Sequence, residues 1–285
     1  MEITIKLPEN FQEKEIRELL EVDWLVPRKV RHFLRIRKNV QVNGETKMFH
    51  EKAQANDLVT LTFEAEDYPK PNVLLGDKSK VNVLFEDEQL IILNKPYGLK
   101  THPNQPDEYD TLLNHLADYL AENGQIPYVV HRLDKETSGA ILFAKNPFIL
   151  PILSRMLEKK NIHRRYQAIV AGLVTPSDFT INKKIGRDRH DRRKRVIDER
   201  RGDVAITHIH VEKAQADRSF LAIILDTGRT HQIRVHLLSI NHAIIGDPLY
   251  SPTKDERLML HAKELFFVHP FSMEEIRVET KDGLF

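Results

Sequence analysis

The segment from His131 to Asn146, HRLDKETSGAILFAKN, holds the residues whose types and spacing are best suited to chemistry. Arg132 and Asp134 are two residues apart, so their side chains point the same way in an extended loop. A carboxylate among cationic neighbours stays ionised and can act as a nucleophile or a base. The Thr-Ser-Gly sequence at 137–139 suits a tight turn whose hydroxyl and amide groups hold such a carboxylate. The alternative is that Asp134 caps a turn and forms a purely structural ion pair with Arg132.

A second cluster, LDTGRTHQIRVHLLSINHAIIGDPLY at Leu225 to Tyr250, combines cations with imidazoles. Four of its side chains fall within eight residues: Arg229, His231, Arg234 and His236. His231 and His236 have the wrong spacing for two ligands on one helical face, and no carboxylate lies between them, so no metal site is predicted. A catalytic triad with Ser138 is conceivable, but the sequence has no GxSxG elbow to present that serine.

The residue inventory restricts the chemistry further. The chain contains no cysteine, which excludes disulfides, thiolate nucleophiles, iron–sulfur clusters and zinc sites with Cys ligands. It also has no glycine-rich phosphate loop. What is left is a lone acid with several arginines and aromatic residues. This set favours a reaction without a cofactor on a polyanionic substrate.

The distribution of charge indicates what that substrate is. Lys and Arg together number 43 against 42 Asp and Glu, so the net charge says nothing about partners. Two local clusters are strongly basic, however: Arg28 to Lys38 holds six Lys or Arg and no acid, and Lys183 to Arg201 holds ten against four acids. A single charged run is commonly just a solvated face. Two such clusters on an otherwise acidic chain favour binding to nucleic-acid phosphates.

The chain length and the apolar pattern set the cellular context. With roughly 150 residues per domain, 285 residues predict about two domains. The first residues, MEITIKLPEN, lack the basic-then-apolar order of a signal peptide. Apolar runs such as Ala140 to Ala144 are far shorter than the roughly 18 residues of a membrane span. We therefore expect a soluble cytoplasmic protein with no membrane partner.

The elements that must position these residues fall into two groups. EKEIRELLE (13–21) and PRKVRHFLRIRK (27–38) predict amphipathic helices, and VQVNG and LVTLTF predict strands of a small N-terminal unit. The proline-containing stretch at 66–80 predicts a linker. Beyond it we expect a larger domain with an α+β mixed sheet. Its predicted strands are VNVLFED, LIILNKP, AILFAK, YQAIVAG, FLAIILDT, LFFVHP and IRVET, and its predicted helices cover 111–124, 146–160 and 230–240.

The motif HRLDKETSG resembles the signature of the RluA/RluD family of RNA pseudouridine synthases. Further blocks follow in the family's order: NKPYGLKTHP, RRYQAIVAG, TGRTHQIRVH, GDPLY and LHA. The resemblance covers roughly residues 80 to 280. It implies a pseudouridine synthase fold, a mostly antiparallel mixed sheet with flanking helices and a central RNA-binding cleft. The first seventy residues resemble a small RNA-binding domain of the S-four-like type, so the implied organisation is 1–70 RNA-binding domain, 71–80 linker and 81–285 catalytic domain.

The resemblance also implies a role for individual residues. Asp134 matches the catalytic aspartate, and Arg234 matches the arginine that pairs with it. Tyr166 matches the tyrosine that stacks on the target base, with Ile233 as the apolar residue beside the arginine. Arg132 matches the arginine that enters the RNA stack when the nucleotide flips out. The family uses no metal and no organic cofactor.

Three functions are thus weighed. The favoured one is an isomerase that converts uridines of structured ribosomal or transfer RNA to pseudouridine, acting as a monomer. The first alternative is an RNA-binding protein without catalysis that uses the two basic clusters alone. The second is a glycoside-type hydrolase, which needs a paired acid and base; Glu136 is the other nearby carboxylate and would have to face the same pocket.

Overall fold

The computed structural model describes residues 1–68, 71–281 and 283–284, which form a ten-stranded sheet, a four-stranded sheet and two two-stranded sheets. The helices are α1 (Ile16–Glu18), α2 (Arg28–Arg37), α3 (Leu112–Ala121), α4 (Ile149–Glu158) and α5 (Gln232–Leu238), with a π-helical turn at Leu19–Asp23 and 3-10 turns at Ala65–Asp67 and Lys78–Lys80. The strands are β1 (Glu2–Lys6), β2 (Lys14–Glu15), β3 (Val40–Val42), β4 (Glu45–Thr46), β5 (Lys52–Ala53), β6 (Leu58–Thr62), β7 (Val83–Glu86), β8 (Leu90–Lys95), β9 (Tyr128–Val129), β10 (Ser138–Ala144), β11 (Ile162–Ala171), β12 (Asp178–Asn182), β13 (Ile185–Arg187), β14 (Arg195–Ile197), β15 (Ile206–Gln215), β16 (Arg218–Leu225), β17 (Leu260–Val268) and β18 (Glu275–Glu279).

The larger sheet has ten strands in the order β12-β15-β16-β11-β17-β10-β8-β7, with β18 beside β17 and β9 beside β10. Its neighbours run antiparallel except β10 and β17, which are parallel at Ser138 and Gly139. Helices α3 and α5 contribute apolar side chains to the core on one part of this sheet. The predicted α+β class with a mostly antiparallel mixed sheet is confirmed. No described helix has the length and hydropathy needed to cross a membrane.

Most of the predicted helices are present, and several strands were not predicted. Helices α2 to α5 lie within the four segments predicted to be helical, each a few residues shorter. EKEIRELLE is only partly helical, because its residues 14 and 15 pair with β5 before the chain turns into α1. Strands β12 to β15 were missed because their exposed faces carry charged and imidazole side chains that hide the apolar alternation. The basic segment Lys183 to Arg201 contains the β13–β14 hairpin.

The N-terminal unit packs directly on the larger sheet. Its own sheet has the order β1-β6-β3-β4. The Trp24 ring lies 5.2 Å from the ring of Phe271, edge to face, and the Phe63 ring lies 5.0 Å from that of Phe148 at the start of α4. These side chains belong to one continuous hydrophobic cluster that spans both sheets. The two units are therefore joined by a buried apolar interface.

The segment 71–80, which we predicted to be a linker, lies along α3. The Gly76 amide donates to the carbonyl of Asn114, the Asp77 amide donates to His115 Nδ1 and the Lys78 amide donates to the carboxylate of Asp118. Residues 69 and 70, which belong to the same predicted stretch, are outside the described residues. These hydrogen bonds hold the described part of the segment against α3, which flanks the larger sheet.

One glycine determines how the loop that carries Asp134 joins the sheet. Gly139 has a φ of +113° and pairs with Ala262 across the parallel β10–β17 junction. A Cβ at this position would lie 2.2 Å from the Ala262 carbonyl oxygen. Gly139→Ala must separate the two strands, so we expect a loss of about 3 kcal/mol or more in the free energy of unfolding, measured by urea denaturation.

Gly124→Ala is the matched control for this substitution. Gly124 also has a positive φ, +66°, but a Cβ there meets no heavy atom within 4 Å. The control therefore isolates the left-handed backbone cost, about 1 kcal/mol. Equal losses for the two variants would show that the close approach of β10 and β17 does not constrain Gly139.

Candidate active site

The five residues predicted for the site line one cleft. The cleft has a volume of about 500 Å³. Asp134 lies in the loop between β9 and β10. Its lining includes Arg132, Asp134, Tyr166, Ile233 and Arg234. The loop, strand β11 and helix α5 supply these side chains from three distant parts of the chain. The fold thus brings together the five residues to which the family resemblance gave a role.

Asp134 is held by Arg234, and Arg234 in turn is held by a second carboxylate. Arg234 Nη1 donates to Asp134 Oδ2 at 3.0 Å. The other side of the guanidinium binds Asp247 in a bidentate manner, with Nε to Oδ2 and Nη2 to Oδ1 both at 2.8 Å. The Asp247 side chain is fully buried, and its Oδ1 also accepts hydrogen bonds from the amides of Leu249 and Tyr250. Asp247 therefore fixes the plane of the guanidinium that faces Asp134.

This arrangement keeps the buried guanidinium charged. Burial alone would lower the pKa of Arg234, but the hydrogen bonds to Asp247 and the negative charge of Asp134 raise it above its ordinary value. A buried cation needs such partners, because an unpaired one is strongly destabilising. No described residue donates a hydrogen bond to Asp134 Oδ1. One carboxylate oxygen is thus anchored while the other is free for a substrate in the cleft.

The buried ammonium group of Lys95 fixes the loop that carries Asp134. Its ammonium donates to the carbonyls of Pro96, Leu99 and Lys135 at 2.9, 2.6 and 3.0 Å. Burial lowers the pKa of Lys95 to about 7, while the charge of Asp134 acts in the opposite direction. Because three carbonyls require three N–H donors, the hydrogen bonding calls for the protonated form. The NKPYG segment and the loop that carries Asp134 are therefore both bound by one buried side chain.

Helix α5 is anchored by the polar residues of its own motif. The Gln232 amide nitrogen donates to the Ile206 carbonyl and to Thr207 Oγ1, and its oxygen accepts from Thr227 Oγ1 and the Arg229 amide. His236 contacts Thr207 Oγ1 at 2.8 Å and the Lys183 carbonyl at 2.9 Å. These bonds fix the orientation of α5, which in turn points Arg234 at Asp134.

Tyr166 and His131 form the inner wall of the cleft. Tyr166 is buried on β11, and burial raises the pKa of its phenol, so the hydroxyl stays protonated at neutral pH. Burial and the nearby Arg164 lower the pKa of His131 to about 3, so this ring is neutral and accepts the Leu142 amide proton at Nε2. Arg164 lines the same cleft, and its buried Nε has no hydrogen-bond partner among the described residues.

The structure differs from one expectation about the loop and from the alternative that the sequence left open. The tight turn is present, since the Thr137 amide donates to the Asp134 carbonyl at 3.1 Å. Ser138, however, is the first residue of β10, and its hydroxyl contacts His261 and Arg257 instead of the Asp134 carboxylate. The structural ion pair between Arg132 and Asp134 is not found among the described contacts, since the partner of Asp134 is Arg234. Arg132 is exposed at the rim of the cleft.

Other groups considered from the sequence do not supply the chemistry. Arg229 binds the Val204 carbonyl at 3.1 Å on the rim. Glu136, the acid that a hydrolase would need, does not line the cleft, and Asp247 is fully engaged by Arg234. The lining also includes Glu158 and Asp226, and Asp226 is bound by Lys160 at 2.7 Å. The described residues contain no group of three or more metal-ligand side chains.

Asp247 is the functional residue that sequence reasoning missed. It belongs to the GDPLY block, which we recognised as part of the resemblance without giving its aspartate a role. The sequence did contain one indication: an acid that directly follows a glycine and has apolar residues on both sides. Such an acid is expected to be buried, and a buried carboxylate needs a cation as its partner. Its distance from Arg234 along the chain concealed which cation that is.

Comparisons with known proteins agree on one family. A family model described as RNA pseudouridylate synthase matches residues 89–239, and a model of the RluD ribosomal pseudouridine synthase N-terminal domain matches residues 3–59. The Bacillus subtilis protein YhcT, an uncharacterised RNA pseudouridine synthase, is 39% identical over 249 residues, covering 85% of this chain and 81% of its own.

A second relative and a solved structure extend this result. Ribosomal large subunit pseudouridine synthase D of Neisseria meningitidis is 39% identical over 215 residues, covering 70% of this chain and 57% of its own. The structure of human RNA pseudouridylate synthase domain containing 1 superposes with a TM-score of 0.60 at 26% identity, covering 73% of this chain and 85% of the human one. The chain therefore belongs to the RNA pseudouridine synthase family, whose members isomerise uridine in RNA to pseudouridine.

Proposed function

We propose that Asp134 is the catalytic carboxylate with which this chain isomerises uridines of structured ribosomal or transfer RNA, without a metal or an organic cofactor. The observation that carries this proposal is the position of Asp134 in the cleft, with Oδ2 bound by Arg234 and Oδ1 left without a donor among the described residues. An anchored and ionised carboxylate with one free oxygen is suited to act as a nucleophile or a base.

The reaction balances within the nucleotide itself. The bond from the ribose C1′ to the uracil N1 breaks, the base turns, and a bond from C1′ to C5 forms; the C5 proton is lost and N1 gains one. Asp134 acts either by attacking C1′ or by removing a ribose proton, and both routes need the ionised carboxylate. The Arg234 charge stabilises that form.

Access to the target requires the nucleotide to leave the RNA stack. Such flipping costs a few kcal/mol of unstacking. Exposed at the rim, Arg132 has a guanidinium that can stack in the vacated place, and the Tyr166 ring lies inside the cleft where the flipped base would sit. Ile233 supplies an apolar contact on the same wall. These three residues are the substrate-binding set of the proposal.

The substrate class follows from the names of relatives and from charge. The Neisseria relative is named for the RNA of the large ribosomal subunit. Here the β13–β14 hairpin exposes Arg187, Arg189 and Arg192, none of which forms an ion pair with a described residue. Exposed cations of this kind bind the RNA backbone without reading its sequence. A ribosomal or transfer RNA substrate would place the enzyme in the cytoplasm.

The N-terminal unit is proposed as a second RNA contact. We take residues 1–70 as the RNA-binding domain, 71–80 as the connecting segment and 81–285 as the catalytic domain. Of the six cations at 28–38, Arg31 pairs with Glu21 and Arg37 pairs with Asp67. The other four, Arg28, Lys29, Arg35 and Lys38, are exposed and have no ion pair with a described residue. Helix α2 and the turn after it thus present free charge for phosphates.

Asp134→Asn is expected to abolish isomerisation, because the amide can neither attack C1′ nor accept a proton. RNA affinity should stay within about threefold, since phosphate contacts dominate binding. Tritium release from C5-labelled uridine in RNA measures the first quantity and filter binding the second. Glu136→Gln, which removes a carboxylate outside the cleft, is the control and should stay active. Turnover by Asp134→Asn, with deamidation excluded, would contradict the proposal.

The role of α2 is tested by salt dependence. Each phosphate neutralised adds about 0.7 to 0.9 to the slope of log affinity against log salt. Replacing the four unpaired cations with Gln should flatten the slope by up to about 3.6 and leave the reaction on saturating RNA intact. These substitutions leave the apolar interface between the N-terminal unit and α4 in place, whereas deletion of the N-terminal unit would remove it.

The control for this measurement is the double variant Arg31→Gln and Arg37→Gln. Both residues are already neutralised by Glu21 and Asp67, so their loss should change the slope by less. If the quadruple variant had the wild-type slope, the N-terminal unit would not be an RNA contact.

A further inference from the structure

A chain of hydrogen-bonding groups links the β13–β14 hairpin to the catalytic carboxylate. The Arg195 backbone amide at the start of β14 donates to the Tyr250 hydroxyl at 2.7 Å. That hydroxyl lies 2.8 Å from His231 Nδ1, and the other ring nitrogen of His231 lies 3.7 Å from Asp134 Oδ2. None of these three residues has a role in the proposal above.

The direction of these bonds follows from the first donor. A backbone N–H can only donate, so the Tyr250 oxygen accepts from Arg195, and its own proton is available for donation to His231 Nδ1. Burial lowers the pKa of His231, so the neutral ring carries a single proton. With Nδ1 accepting, that proton sits on Nε2, the nitrogen that faces Asp134.

Two further observations show that the geometry of this pair is imposed. His231 is the N-cap residue of α5 and has a φ of +57°. This is a left-handed conformation that non-glycine residues rarely adopt. Such backbone strain persists where the surroundings fix it and is concentrated at functional sites. The Tyr250 ring also lies over the Arg234 guanidinium, 5.1 Å from its carbon. Tyr250 therefore contacts both groups that face Asp134 Oδ2.

We propose that Tyr250 and His231 are positioning residues for Asp134: the Tyr250 hydroxyl selects the His231 tautomer whose Nε2–H faces Oδ2. Arg234 and His231 then fix one carboxylate oxygen from two directions and leave Oδ1 for the substrate. At 3.7 Å the His231 contact is longer than a hydrogen bond. Catalytic contacts of this kind commonly tighten when substrate binds. The inference rests on the proposed role of Asp134.

Tyr250→Phe removes the hydroxyl and keeps the ring over Arg234. We expect the single-turnover rate on RNA to fall about tenfold or more because the carboxylate loses its alignment. RNA affinity should stay within about twofold, since no phosphate contact changes. Tyr119→Phe is the matched control. Tyr119 lies on α3 away from the cleft, and its hydroxyl donates to Glu86 of β7 at 2.9 Å. Loss of this hydroxyl should not change the rate.

The His231 tautomer supplies a readout that a purely structural role would not affect. Nitrogen-15 NMR of the imidazoles should show His231 protonated at Nε2 in the wild type and in Tyr119→Phe. In Tyr250→Phe the form of His231 that is protonated at Nδ1 should appear, because no hydroxyl then donates to Nδ1. An unchanged tautomer in Tyr250→Phe would overturn the proposal.

A double-mutant cycle tests whether Tyr250 acts through His231. His231→Leu should slow the reaction, and adding Tyr250→Phe to it should have little further effect. His231→Gln, whose amide N–H can approach the place of Nε2–H, should recover part of the rate. Full additivity of the two substitutions, or a Tyr250→Phe rate equal to that of Tyr119→Phe, would contradict the inference. If Asp134→Asn itself turns over, the proposed function fails instead, so the two failures are distinguishable.

Discussion

The active site depends on one buried cation that two carboxylates share. Arg234 is 3% exposed, and its guanidinium spans the gap between Asp247, which is fully buried, and Asp134, which is open to the cleft. Taking a guanidinium out of water costs several kcal/mol unless its donors are used. Asp247 uses two of these donors and so determines where the third one points. The orientation of the Asp134 carboxylate thus follows from the Arg234–Asp247 pair, which is more deeply buried.

The surrounding fold can be understood as the support for that pair. Helix α5 carries Arg234 and is held by Gln232 and His236, whose bonds reach strand β15 and the segment before β13. The turn after Asp247 is closed by amides that donate to the same carboxylate. Lys95 gathers three carbonyls beneath the loop of Asp134. Three separate segments are thereby fixed relative to one another before any substrate binds, which is the condition for effective catalysis by alignment.

Part of this arrangement was predictable from the sequence, and the missing part has a physical reason. The candidate residues of the HRLD and THQIR segments could be recognised because the acid, arginine and imidazole side chains lie within a few residues of one another. The helices α2 to α5 were predicted from the helical spacing of their apolar residues. Asp247 could not be assigned, because a sequence does not say which cation a distant buried acid meets. The β13–β14 hairpin was hidden by its charges. The packing of Trp24 on Phe271 joins segments far apart in the chain, so the N-terminal unit looked more independent than it is.

The most direct test of this account is the single-turnover rate of Asp247→Asn. The amide oxygen can still accept the Leu249 and Tyr250 amides, but the charge that orients Arg234 is lost. The account predicts a rate about 100-fold lower, as small misplacements at a reacting centre produce, with RNA affinity within about threefold and a folded protein by circular dichroism. A folded Asp247→Asn enzyme that reacts at the wild-type rate would contradict the claim that Asp247 sets the geometry of Asp134.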